Sequence, residues 1–257
     1  MSAAAAYPDL SGQHVFITGA ARGLGRSMAE KLAACGATVA VTDVDAGGCD
    51  VVAEGICAAG HAAFAYTVDV ARHDQMMSAA AQFAKACGGR IDAVVNNAML
   101  LRYEPVEKIT PETLTRMTAI GINGSVWGAQ ALLAHYDAAR GGAIINMASP
   151  VAEKGFPNTA AYSLVKGAIV TLTKVLAAEL GPRNVRVNAI APGSVPTPGA
   201  LGLNDKAEYE RRSRTIPLRR LGREEDNAAA CAFLLSGAAS FINGEILHVD
   251  GGIAAAG

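Results

Sequence analysis

Short, β-branched apolar runs at 14–18, 38–43, 62–68, 91–96, 143–148, 185–190 and 246–249 alternate with longer amphipathic or Ala-rich stretches at 24–35, 49–59, 75–87, 111–139, 160–180 and 224–235. The short runs are too brief for helices and too continuously apolar for a half-wet sheet, which predicts strands buried on both faces. Strand and helix taking turns predicts parallel strands joined by right-handed crossovers, with helices covering both faces of the sheet. The expected fold class is therefore α/β, a three-layer sandwich around a seven-stranded parallel sheet.

Local signals sharpen the picture. Thr110-Pro111-Glu112 reads as a helix start, because Pro is pre-shaped for the first helical position and an acid suits the positive dipole end. Val165, Ile169, Leu172, Leu176 and Leu180 form one apolar helix face. That stripe suits packing on the sheet or association with a second copy. The Gly- and Pro-rich stretch 193–204 reads as a long loop. Without a repeat or linker, residues 1–257 are expected to form one domain, with a substrate-covering loop and helix at about 194–216.

Composition narrows the function. With 51% hydrophobic residues the chain has material for a large packed core. A net charge of -1, from 22 basic and 23 acidic residues, offers no footprint for nucleic acid or an anionic membrane. The most basic run, Arg211, Arg212, Arg214, Arg219, Arg220 and Arg223, reads as a solvated helix face or as a patch beside a ligand entrance. Five cysteines (Cys35, Cys49, Cys57, Cys87, Cys231) lack metal-ligand spacing and read as small buried hydrophobes in a reducing compartment; no metal is expected. The run 3–6 is too short for a signal-peptide core, and the uncharged stretches 117–136 and 227–244 are interrupted by polar residues. A cytoplasmic protein is the expectation.

The first strand runs into Thr18-Gly19-Ala20-Ala21-Arg22-Gly23-Leu24-Gly25, which opens a helix. Gly19, Gly23 and Gly25 allow a sharp turn and close approach of a pyrophosphate to the positive helix end, as in a Rossmann-like dinucleotide site. The second strand ends in Asp43, where a carboxylate would accept hydrogen bonds from the adenosine ribose and repel a 2'-phosphate. This favours NAD over NADP. Two alternatives stay open: Arg22 greets a 2'-phosphate, or Asp43 or Asp45 simply caps the next helix. Asp69 and Val70 close the third strand where an adenine edge is expected.

Tyr162 and Lys166 stand four residues apart near a helix start, hence on one face, and Ser149 ends the preceding strand. Together with the glycine loop, Asn96-Asn97-Ala98, Asn123, Pro192-Gly193 and Asp250-Gly251-Gly252, this order resembles the short-chain dehydrogenase/reductase family in its compact form, over nearly the whole chain. The resemblance implies hydride transfer between a nicotinamide and an alcohol or carbonyl carbon, with Tyr162 as acid/base and Ser149 holding the substrate oxygen. It further implies that Lys166 binds the nicotinamide ribose and that Asn123 holds a water leading from Lys166 to solvent. Asn97 would tie the fourth strand to Thr18, with Asn96 and Ala98 flanking the adenosine. Gly193, Val195 and Thr197 would run beside the nicotinamide amide, after Pro192. The family's usual assembly implies a homotetramer or homodimer.

The proposed chemistry sets a demand. A phenol titrates at about 10, and bringing it to about 7 takes roughly 4 kcal/mol of preference for the anion. An ammonium about 4 Å away supplies a term of that size at an effective dielectric near 20.

Three departures bear on the pocket: Met99 where the family usually has Gly, Pro150 directly after Ser149, and Asn243 where Thr is commoner. Pocket candidates are Met99, Leu100, Pro150, Phe156, Ser194, Leu201 and Leu203, mostly apolar, which suits a small or medium secondary alcohol or its ketone. Arg102 reads either as a receiver for an acidic substrate or as a solvent-facing side chain. Two rival readings share the fold: an enoyl reductase, against which the compact Tyr162-to-Lys166 spacing argues, and a non-catalytic NAD-binding sensor.

Overall fold

In the computed structural model, which describes residues 8–200 and 206–256, the alternating pattern folds as a doubly wound sheet. The first half runs β1 (His14–Thr18), α1 (Gly23–Ala34), β2 (Thr38–Asp43), α2 (Ala46–Ala58), β3 (Ala63–Thr67), α3 (His73–Ala86) and β4 (Ala93–Asn96). Then come α4 (Pro111–Thr118), α5 (Gly124–His135), β5 (Gly142–Met147), α6 (Ala160–Leu180), β6 (Val185–Pro192), α7 (Lys206–Thr215), α8 (Glu224–Leu235) and β7 (Ile246–Val249).

Among the described residues the seven strands form one sheet in the order β3-β2-β1-β4-β5-β6-β7, every neighbouring pair parallel. The order reverses between β1 and β4. A crevice therefore opens there, at the carboxyl ends of the strands.

The period of two divides the core. Val15 and Ile17 of β1 point with Val41, Val95 and Ile145 toward Met28 and Leu32 of α1 and Cys231 and Leu235 of α8. Phe16, Val94 and Ile144 point the other way, onto Phe83 of α3, Leu132 of α5 and Leu180 of α6. Phe83 also meets the rings of Phe16, Phe64 and Tyr66 at centroid distances of 6.2, 6.1 and 6.3 Å.

Three expectations are corrected by packing, and one left open is decided. The strand at one of the two sheet edges, β3, exposes Phe64 and Thr67, because it has a neighbour on one side only. Cys57 is exposed on α2, unlike the other four cysteines. The single helix expected over 111–139 is broken by a π turn at Ala119–Asn123 and ends at His135, where Asp137 accepts hydrogen bonds from the Arg140 and Gly141 amides and makes a turn. The apolar stripe of α6 packs inward: Val165 sits against Met117 and Ala161, Ile169 against Ala148 and Ala189, and Leu180 against Val185 and Val187. Exposed apolar side chains of α6 are Leu164 and Val175, off that stripe.

Among the described residues no helix is long and apolar enough to cross a membrane.

Phe83 joins two strands and a helix, so Phe83→Ala is expected to destabilise the fold by about 3–5 kcal/mol through lost burial and a cavity. Chemical denaturation should show a lower midpoint with an unchanged slope.

Candidate active site

The crevice is built first by the glycine loop. Gly19 and Gly23 have φ of +65° and +59°, a region side chains avoid. At Gly25 the constraint is contact: a Cβ there would lie 2.1 Å from the Gly19 carbonyl oxygen. Asn97 pins the loop, its Nδ2 donating to the carbonyls of Thr18 (2.9 Å) and Gly19 (2.8 Å). Thr18 Oγ1 in turn accepts from the amides of Asn97 (3.0 Å) and Ala98 (3.1 Å). Helix α1 begins here with no side-chain cap and no acid in its first turn, so its amide ends and positive dipole face the crevice. This cradle fits a pyrophosphate. Arg22 is exposed at its rim, and Leu24 is half-buried beneath it.

Asp43 ends β2 with Oδ2 accepting from the Ala21 amide at 3.3 Å and Oδ1 from the Asp45 amide at 3.2 Å. The capping of α2 falls to Asp45, which accepts from the Gly48 amide at 3.0 Å. Asp43 is thereby left tied to the glycine loop. Asp69 accepts from the Ala71 amide, while Val70 is buried where a Cβ on Gly124 would meet it. The Asn96 side chain is committed inside the fold, donating to Ser125 O and Asn146 Oδ1.

The strip after β6 reaches back to the loop. Gly193 sits so close to Asp250 that a Cβ would lie 2.7 Å from its Cα, Val195 is buried, and Thr197 lies 3.4 Å from a Cβ built on Gly23. Pro192 ends β6 beside them, opposite Val249.

On the other side of the switch point, Ser149 follows β5 and Tyr162 stands in the first turn of α6. The Ser149 hydroxyl lies close enough to the Tyr162 oxygen to favour its anion. Lys166 is one turn further, buried, with Nζ 5.5 Å from the Tyr162 ring centre. It donates to the Met147 carbonyl at 2.5 Å.

This corrects the expected depression of the phenol. Burial raises Tyr162 above its usual value, the neighbouring Tyr103 adds to the effect, and the Ser149 hydroxyl opposes it. Burial also lowers Lys166 to about 8. Desolvation outweighs the attraction of a cation that is already engaged by a carbonyl.

Asn123 does not join the cluster. It is exposed at the end of the π turn, with no side-chain hydrogen bond among the described residues. Residues two apart point to opposite sides of a helix, so the inward position belongs to Gly121. A Cβ on Gly121 would meet Val165 at 2.4 Å and Met99 Sδ at 3.0 Å. Met99 thus fills space that a side chain at 121 would need.

Met99 and Leu100 pack with Tyr162 around Met117, Ala161 and Val165. Pro150 is buried in the turn after Ser149. Phe156 faces away from this floor and lines an open groove of about 710 Å³ with Val106, Asn158 and Ser163. Asn243 is structural, accepting from the Val187 amide and donating to Ala177 O. Leu201 and Leu203 lie outside the described residues. Arg102 is mostly exposed and pairs with Glu104, which settles it as solvent-facing.

Two site residues had no sequence signal. The Tyr103 ring meets Tyr162 edge-on at 5.6 Å, and Tyr209 of α7 acts electrostatically on Tyr103. Neither belongs to a motif; only the fold brings them to Tyr162.

Comparison with known proteins agrees with this geometry. A family described as enoyl-(acyl carrier protein) reductase matches residues 19–254. The cis-4-hydroxycyclohexanecarboxylate dehydrogenase of Sinomonas cyclohexanicum is 37% identical, over 93% of this chain and 95% of that one. The 3-ketoacyl-(acyl-carrier-protein) reductase of Brucella melitensis, solved with NADH, superposes with a TM-score of 0.89 at 33% identity, over 96% and 100% of the two chains. A gluconate 5-dehydrogenase from Burkholderia cenocepacia, solved with NADP and tartrate, gives 0.91 at 33% identity, over 97% and 98%. The chain belongs to the short-chain dehydrogenase/reductase family. It is an oxidoreductase with a nicotinamide dinucleotide site.

Gly25→Ala should lower affinity for the dinucleotide by about tenfold or more, checked by quenching of protein fluorescence, because the new methyl displaces the Gly19 carbonyl. A second expectation concerns pH. Lys166 titrates at about 8 in the folded protein against 10.5 when free, so the unfolded chain holds more protons between those values. Its contribution to stability therefore rises with pH across that window, by roughly 3 kcal/mol at most. Urea titrations of wild type and Lys166→Met should show the wild type gaining on the variant from pH 8 to 10.5.

Proposed function

We propose that this protein transfers a hydride between NAD and a secondary alcohol or its ketone, with Tyr162 as general acid and base. The observation that carries the reading is the gathering of Tyr162, the Ser149 hydroxyl that acts on it and a buried Lys166 with Nζ 5.5 Å from the Tyr162 ring. Both hydroxyls sit where a substrate oxygen would meet them together. The dinucleotide, when bound, supplies the hydride acceptor or donor and, in its oxidised form, a positive charge.

With its phenol raised, Tyr162 holds its proton at neutral pH and is ready to give it to a carbonyl oxygen. Ser149 donates to the same oxygen, a bond that strengthens as charge builds there in a low-dielectric site. In the oxidising direction Tyr162 must first be made a base, and Lys166, charged below about 8, is the resident cation that favours it. Met99, Leu100 and Pro150 exclude water from this floor.

Asp43 supports NAD over NADP, since a carboxylate at the end of β2 repels a 2'-phosphate; Arg22 at the rim pulls the other way. We assign the substrate cover to the loop and helix at about 194–216, with the whole chain acting as one domain. Leu164 and Val175 offer α6 an apolar outer face for a homodimer or homotetramer. The free cysteines suit a reducing, cytoplasmic setting.

One observation favours a second reading: the matched family's description names an enoyl reductase. The four-residue step from Tyr162 to Lys166 weighs against it. A screen of secondary alcohols, ketones and an enoyl thioester, with NAD and NADP cofactors separately, distinguishes the readings by nicotinamide absorbance. Expected are ketone reduction with a clear NAD(H) preference and a loss of about 10²-fold or more in kcat for Tyr162→Phe, with dinucleotide binding retained. Turnover by Tyr162→Phe at the wild-type rate overturns the mechanism; preference for NADP overturns the role of Asp43.

A further inference from the structure

The arginine run that begins at α7 is not uniformly solvated. Arg211 is 73% exposed, whereas Arg212 is 32% exposed and turned toward the cleft. Its Nη1 reaches Ser194 Oγ at 3.5 Å, in the strip that follows β6, and its charge acts on the Tyr103 hydroxyl. Tyr103 is the ring that stands edge-on to Tyr162. Arg212 thus acts on the residue that borders Tyr162.

Its placement is anchored. One turn further on, Ile216 is buried and its amide donates to the Arg212 carbonyl at 3.0 Å. Ile216 and Pro217 fit against Gly251 and Gly252 so closely that a Cβ on either glycine would meet them at 2.7 and 3.2 Å. The guanidinium is oriented as well, since its Nε donates to Glu208 at 2.7 Å.

Glu208 is shared in this cluster. It takes Arg212 on one carboxylate oxygen at 2.7 Å and Arg211 on the other at 2.6 and 2.8 Å. Among the described residues, one acid thus faces two guanidinium groups. A guanidinium is planar and presents donors in a fork that matches a carboxylate.

Building on the proposed ketone reduction, we infer that Arg212 is a specificity-determining residue that binds a carboxylate carried by the substrate, some carbons away from the carbonyl that Ser149 and Tyr162 hold. The substrate class is then an oxo acid and its hydroxy acid. Because Arg212 grips a part of the substrate remote from the reacting carbon, its contribution appears in KM more than in kcat.

The test compares straight-chain methyl ketones with the same ketones ending in a carboxylate, using NADH and the full-length protein. At the best chain length the wild type should favour the acid by about tenfold or more in kcat/KM, a difference of about 1.4 kcal/mol. Arg212→Gln should bring that ratio to about one by raising KM for the acid, Arg212→Lys should keep part of it, and Arg211→Gln, which removes the same charge from the same helix, should preserve it. Three results would overturn the assignment: a wild-type ratio near one, an unchanged ratio in Arg212→Gln, or an equal fall in Arg211→Gln. Absence of turnover on both series by a wild type that binds NADH would instead sink the ketone-reductase reading on which this rests.

Discussion

A parallel sheet must be entered by every strand from the same end, and this constraint places all the chemistry of the protein on one edge. Because β1 lies between β2 and β4, the connections after those strands diverge and leave a crevice at their carboxyl ends. Thr18, Asp43, Asn96, Met147 and Pro192 are each the last residue of a strand. Segments scattered through most of the chain meet there. The Asn97–Thr18 hydrogen bonds then lock the glycine loop to the neighbouring strand, so the cradle is held by the sheet itself.

Within the cleft, the same burial that makes hydrogen bonds strong makes charge expensive. Tyr162 is pushed toward its neutral form and Lys166 toward its neutral amine, each for lack of water. The Met147 carbonyl and the Ser149 hydroxyl partly replace that water. Tyr162 therefore holds its proton at neutral pH. Low dielectric gives any nearby charge a large effect.

The architecture was legible because two-sided burial leaves a pattern. Each β-branched run between Ala-rich stretches has to cover both of its faces, and the five inner strands do. The exceptions, β3 and β7, read like the inner strands although they form the two edges, because strand order is a non-local property. The paired Tyr162 and Lys166 were legible from helical spacing, and the glycines from the turn they permit. The setting of Asn123 was not legible for a related reason. A π turn adds a residue to the helix and rotates everything after it, so the inward position is Gly121, and nothing in the local sequence announces that insertion. The α6 stripe from Val165 to Leu180 was ambiguous between sheet and partner until its neighbours were known.

What the sequence determined by itself is what local physics encodes: alternation of elements, the glycine turn, the acid closing β2, and a tyrosine one helical turn from a lysine. These depend on residues near one another in the chain. Tertiary structure alone decided the direction of the phenol's shift, the filling of the Gly121 side by Met99, the approach of Tyr103 to Tyr162 and the reach of Arg212 to Ser194. Desolvation and long-range charge are sums over neighbours brought in from distant segments. No window of sequence contains them.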